Sequence, residues 1–225
     1  NLQNEGFDLS IKAKASPDHP NVYHCGDIMY DNSLYFAALS KKSSTILQDL
    51  HLSKDGYILC TIHRDTNTDD PVALQGILDA LLEIIDQSDL VVVLPIHPRT
   101  KNKIETLLGS NFQQKLSEQK NLVITAPASF LDMIALEENS KMIITDSGGV
   151  QKEAYFFAKP CVILREQTEW VEVVAAGAAL LTGADPKRII AATQQLLNQT
   201  ISTDTQIFGN GQAASFICEK IISDL

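Results

Sequence analysis

The chain has 225 residues, 44% of them hydrophobic and 20% charged, a composition that suits a water-soluble globular unit with a core of useful size. A formal net charge of −10 and the lack of any basic run exclude a nucleic-acid partner, because phosphate backbones are held by clustered Lys and Arg. No apolar run is long enough to cross a bilayer, and none reads as a signal peptide. Cys25, Cys60, Cys161 and Cys218 lack the C-x-x-C spacing of a zinc or thioredoxin-type site. Four buried free thiols in a reducing cytosol are the expectation. The chain opens Asn1-Leu2-Gln3 without an initiator Met, so residues are expected upstream.

A first strand is expected to end at Gly26-Asp27, followed by two helical stretches between Asp31 and Leu50. Tyr57 to Thr61 reads as a strand. Asp70-Pro71 then starts a helix, with Asp as N-cap and Pro at the first helical position. Leu74, Ile77, Leu78, Leu81, Leu82 and Ile85 mark its apolar stripe. Leu90 to Ile96 is a continuous apolar run, as a strand buried on both faces requires. Lys101 to Leu108 is predicted helical, Asn121 to Thr125 a strand, and Ser129 to Glu137 a helix capped by Ser129. Met142 to Thr145 and Cys161 to Leu164 are strands around a helix from Gly149 to Phe157. A helix from Glu169 to Ala176, a short strand Ala179 to Leu181 and helices over 186–197 and 212–222 complete the chain. Strand and crossover helix alternate, which predicts one α/β, Rossmann-like domain around a doubly wound parallel sheet.

Ligands of such sheets bind beyond the carboxyl ends of the strands, so the segments just after each strand carry the functional information. Asp146-Ser147-Gly148-Gly149 lies between a strand and a helix. Its glycines allow close backbone approach, and the helix start offers unpaired N–H groups to an anion such as a diphosphate. The same residues also serve as an N-cap and a tight turn. Glu153, one turn on, can accept from a ribose diol or simply complement the helix dipole. Arg165 stands at a strand end, where a guanidinium clamps phosphate, and Thr168, Glu169 and Trp170 follow it. Trp170 can equally be core. His63, Arg64, His97 and Arg99 fall on the same sheet edge and bring positive charge to an acidic chain. Gly209-Asn210-Gly211-Gln212-Ala213-Ala214 matches a dinucleotide pattern, but no strand precedes it, and it reads as a turn into the last helix. No Walker A, G-x-S-x-G or H-E-x-x-H sequence occurs, so no metal and no cofactor is implied.

Several of these blocks in order resemble one family. Cys60-Thr61-Ile62-His63-Arg64 with Asn67-Thr68-Asp69 is similar to the histidine-arginine signature of non-hydrolysing UDP-N-acetylglucosamine 2-epimerases. Thr145 to Ala154 resembles that family's most recognisable block, and Lys159-Pro160 to Arg165 with Thr168-Glu169 continues it. Gly26 to Asp31, His97-Pro98 and Phe208 to Gly211 also fall in family order. The resemblance implies the C-terminal half of a glycosyltransferase-B type fold, with UDP held mainly by this half. Ser147, Gly148 and Gly149 would hold the diphosphate, Glu153 the ribose and Arg165 a phosphate. Arg64 would belong to the UDP site, uracil would lie near Phe130 and Met133, and His63 would be catalytic. His97, Thr168 and Glu169 are further candidates.

The chemistry implied is anti elimination of UDP to a 2-acetamidoglucal and re-addition with inversion at C2. The family's acid–base carboxylates lie in an N-terminal domain, near whose end Asn1 aligns; the last helix, 212–222, would pack toward it. A cytoplasmic homodimer taking a UDP-sugar is the family expectation. Two departures stand out. Asp65-Thr66 replaces a pair ending in Glu, and Trp170-Val171 replaces an Arg-Pro pair, a form closer to relatives acting on UDP-2,3-diacetamido-glucuronic acid. A glycosyltransferase of the same architecture, a hydrolysing epimerase and a non-catalytic UDP-sugar sensor are the competing readings.

Overall fold

The computed structural model describes residues 5–12 and 15–223, so Asn1-Leu2-Gln3, on which the expectation of upstream residues rests, lies outside the described residues. The chain divides into two compact units, Asn1–Asn32 with Asp204–Leu225 and Ser33–Thr203. In chain order the elements are α1 (Ile28–Ser43), α2 (Ile46–Asp49), β1 (Tyr57–Thr61), α3 (Asp65–Thr68), α4 (Pro71–Asp86) and β2 (Val91–Pro95). Then come α5 (Pro98–Leu107), α6 (Ser110–Glu118), β3 (Leu122–Thr125), α7 (Phe130–Asn139), β4 (Met142–Thr145) and α8 (Gly148–Phe156). The chain closes with β5 (Cys161–Ile163), α9 (Val171–Ala175), β6 (Ala179–Leu181), α10 (Pro186–Leu196), α11 (Thr205–Phe208) and α12 (Ala213–Ser223).

In the larger unit the six strands form one sheet, all pairs parallel, in the order β3-β2-β1-β4-β5-β6. This is the doubly wound arrangement expected from the alternation of elements. The crossover helices bury the middle of the sheet: β1 and β4 are buried at every position, whereas the edge strand β3 leaves Ile124 exposed. Helix α4 buries the stripe from Leu74 to Ile85 against them, and its start is fastened by Asp70, whose carboxylate accepts from the Val72 and Ala73 N–H groups. Such a cap is worth about 1 kcal/mol. The winding direction reverses between β1 and β4, the two central strands. That switch point opens a crevice at their carboxyl ends.

In the smaller unit no strand precedes Gly26 among the described residues, contrary to expectation; they show only an isolated bridge between Ser16 and His19. The Gly26 and Phe208–Gly211 blocks serve each other instead. Gly26 and Gly209 both adopt positive φ (+87° and +81°), and a Cβ on Gly209 would stand 2.9 Å from the Gly26 Cα. The Asp27 N–H donates to the Phe208 carbonyl at 2.9 Å, and the Asp31 carboxylate accepts from Ala213 and Ala214 at the start of α12. The G-x-G-x-x-A segment is thus a turn into α12, as read from the sequence. Other boundaries shift where side chains take local work: His97 caps α5, which begins three residues early, and α9 starts only after Glu169 and Trp170. Helix α6 was not foreseen. The thiols split. Cys60 and Cys161 are buried, and desolvation pushes Cys161 up to about 12, but Cys25 is half-buried and Cys218 lies on the exposed side of α12.

Candidate functional site

The centre of the crevice is Asp146, the residue after β4, whose side chain is fully buried. Its carboxylate accepts the backbone N–H of His63 (3.1 and 3.2 Å), the N–H of Arg64 (3.0 Å) and Asn67 Nδ2 (3.1 Å). His63 Nδ1 lies 3.1 Å from Oδ1, the oxygen that Arg64 and Asn67 leave to it, and Arg64 Nε donates to the Asp146 carbonyl at 3.0 Å. Asn67 reaches on to the Leu164 carbonyl, so one network ties together the ends of β1, β4 and β5. The Thr61 and Thr145 hydroxyls, 2.6 Å apart, seal it from below.

From Ser147 the chain enters α8. The Ser147 hydroxyl accepts the Val150 N–H only at 3.5 Å, and the N–H groups of Gly148 and Gly149 fall in the first helical turn, which has no intrahelical acceptor. Neither glycine has positive φ, and a Cβ on Gly148 would meet nothing closer than 3.6 Å. Folding therefore does not require glycine here; what it leaves is open backbone. Arg165 Nη1 lies 3.9 Å from that Cβ position, so a guanidinium and a helix start face the same space. Arg165 holds Glu169 in a two-bonded pair (2.7 and 2.8 Å), which keeps the Glu169 carboxyl at about 2. Trp170 Nε1 donates to the Gly148 carbonyl at 2.8 Å, and Thr168 donates to Gln151 at 2.6 Å.

The sheet-edge residues divide. His63, His97, Arg99 and Met133 line one cavity of about 480 Å³ with Thr61, Thr100 and Val150. Arg64 and Arg165 line a second, of about 410 Å³, with Asn67 and Gln167. His97 Nδ1 accepts the Arg99 N–H as helix cap, and Arg99 is bound by both oxygens of Asp69. Phe130 is exposed and meets Phe36 edge-on at 4.9 Å. Glu153 lines neither cavity; its carboxyl hydrogen-bonds the buried Glu137. Sequence patterns assign no role to Asp146, Asn67 or Glu137. The signal for Asp146 was an acid directly following a wholly apolar strand.

Glu137, 1% exposed, is pushed well above the usual carboxyl range by burial and by the charge of Glu153, and Glu153 is raised by its own burial. Glu137 is thus the partner that holds a proton and donates it to Glu153. A folded-state pKa above the unfolded one stabilises below the unfolded value and loses that contribution as pH rises through the folded value. Glu137→Gln, which keeps a donor toward Glu153, is expected to flatten the fall of stability above pH 4.5, the ordinary glutamate value, and to leave stability at neutral pH equal or higher. Urea unfolding of both forms across that range checks this.

A Rossmann-like sheet whose switch point gathers a helix start, an arginine and a histidine held by a buried carboxylate defines a doubly wound α/β protein. Comparison with known proteins narrows this. The pattern of the family described as UDP-N-acetylglucosamine 2-epimerase matches residues 1–222. The UDP-2,3-diacetamido-2,3-dideoxy-D-glucuronate 2-epimerase of Pseudomonas aeruginosa is 43% identical over 98% of this chain and 56% of its own length. The structure of UDP-GlcNAc 2-epimerase from Methanocaldococcus jannaschii superposes with a TM-score of 0.84 at 31% identity, over 99% of this chain and 59% of that one. A second structure of the Methanocaldococcus enzyme, in complex with UDP-GlcNAc and UDP, gives 0.80 at 31% identity over 99% and 57%. The chain belongs to the UDP-N-acetylglucosamine 2-epimerase family, and spans somewhat over half the length of these relatives. Among the described residues no helix is long and apolar enough to cross a membrane.

Proposed function

We propose that this chain is the UDP-binding half of a non-hydrolysing UDP-N-acetylglucosamine 2-epimerase. The observation that carries the reading is the open Gly148-Gly149 helix start facing Arg165, two residues after the Asp146 that holds His63. Amide N–H groups and a guanidinium form the cradle for a diphosphate. In the reaction the C2 proton is removed, the C1–oxygen bond breaks and UDP departs with the bonding electrons, leaving a 2-acetamidoglucal. Addition of UDP back to C1 with protonation of C2 from the opposite face completes the inversion. This chain's part is to hold the leaving diphosphate, so that charge developing on its oxygen meets preorganised donors. Glu153 takes the ribose, and Met133, which lines the larger cavity, takes the uracil with the exposed Phe130. The carboxylates that exchange the C2 proton belong to the part of the relatives' length that this chain does not cover. A cytoplasmic homodimer accompanies this reading.

Glu169, its side chain 54% exposed, now occupies the arginine that a phosphate would take, so UDP has to displace it. Calorimetric titration of this chain with UDP is expected to show weak binding, lost by at least about tenfold in Arg165→Ala, with no epimerisation by the chain alone. Equal binding by both forms would remove Arg165 from the site. Trp170-Val171, together with the 43% identity to the Pseudomonas enzyme, favours a second substrate reading, a UDP-2,3-diacetamido uronate. Offering the full-length protein both sugars and following C2 inversion by proton NMR separates the two.

A further inference from the structure

The Asp146–His63 contact fixes more than the shape of a loop. Asp146 Oδ2 accepts from the N–H groups of His63, Arg64 and Asn67, and Oδ1 from the His63 N–H, so toward its neighbours Asp146 acts as an acceptor. An imidazole nitrogen 3.1 Å from such an oxygen forms a bond only if it carries the hydrogen. The carboxylate is fully buried and held from three sides, whereas the His63 side chain is half exposed and lines the larger cavity. The rigid partner therefore orients the mobile one. The other ring nitrogen, Nε2, makes no hydrogen bond among the described residues.

We propose that Asp146 is the positioning residue of His63: it accepts from Nδ1–H, locks the neutral ring in that tautomer and leaves Nε2 bare toward the cavity. Proton exchange between His63 and a ligand then runs through Nε2 alone. For the diphosphate this consequence rests on the UDP-sugar reading above; the tautomer does not.

The test is a long-range nitrogen–proton NMR spectrum of the chain labelled with 15N-histidine, recorded where the imidazole is neutral. His63 is expected to show a proton-bearing Nδ1 and a bare Nε2. Asp146→Asn keeps one acceptor oxygen for Arg64 and Asn67 and turns an N–H toward the ring, so the two resonances are expected to exchange character. A bare Nδ1 in the unmodified chain overturns the proposal, whatever the variant does. So does an unchanged pattern in a folded Asp146→Asn. If the variant fails to fold, the unmodified chain decides alone. UDP titration of the same sample keeps the two ideas apart: no binding would sink the nucleotide reading and leave the tautomer result standing.

Discussion

Asp146→Ala is expected to lower the unfolding free energy by about 3 kcal/mol or more, since each buried donor left without an acceptor costs roughly 1–3 kcal/mol. Three N–H groups and an imidazole lose their acceptor together, and they belong to the segment between β1 and α4. For a chain of this size that corresponds to a drop of roughly 10 °C in melting temperature. Asp146→Asn, with one acceptor oxygen retained, is expected to lose clearly less. Urea denaturation of the three forms measures this. A loss below about 1 kcal/mol for the alanine variant would mean that water replaces the carboxylate and that Asp146 is not the joint between the strands.

Gly148→Ala tests the opposite property, a position that folding leaves open. Its φ is not positive, and the nearest atoms to an added Cβ are side-chain atoms of Glu169, Trp170 and Arg165 at 3.6 to 3.9 Å. Thermal stability should be unchanged or slightly raised, because alanine is the better helix former by up to about 1 kcal/mol. A ligand lying on the Gly148 and Gly149 amides, however, would collide with the methyl group. Loss of two charge-assisted hydrogen bonds would weaken UDP by about a hundredfold, roughly 2.7 kcal/mol. Calorimetry and circular dichroism on one preparation read both effects. Undiminished UDP binding in a folded variant would place the diphosphate elsewhere. Gly209→Ala would not discriminate in this way, since its positive φ and its contact with Gly26 make glycine a folding requirement.

Much of the site was legible because its parts are local. Ser147 as a cap, two glycines at a strand–helix junction and an arginine at a strand end each declare themselves within a few residues. The same locality misled at Gly26, where a turn glycine before a helix imitated the end of a strand. The grouping of His63, Arg64, His97 and Arg99 on one sheet edge is divided more finely by the fold: Arg99 lines the cavity of His63 while paired with Asp69, and Arg64 lines the second.

The sequence by itself determined the elements of the sheet and their order: the Asp70-Pro71 start of α4, the apolar runs of β1, β2 and β4, and hence a parallel doubly wound sheet. Periodicity, capping and β-branching act over a handful of residues and need no partner to be read. Only the tertiary structure decided which ends meet. Strand order put β1 beside β4 and so brought His63 to a carboxylate 83 positions away. The packing of α7 on α8 gave Glu153 a buried acid as neighbour. Neither contact leaves a local trace, because what makes a buried carboxylate an acceptor, or a glutamate a proton donor, is the set of groups that folding gathers around it.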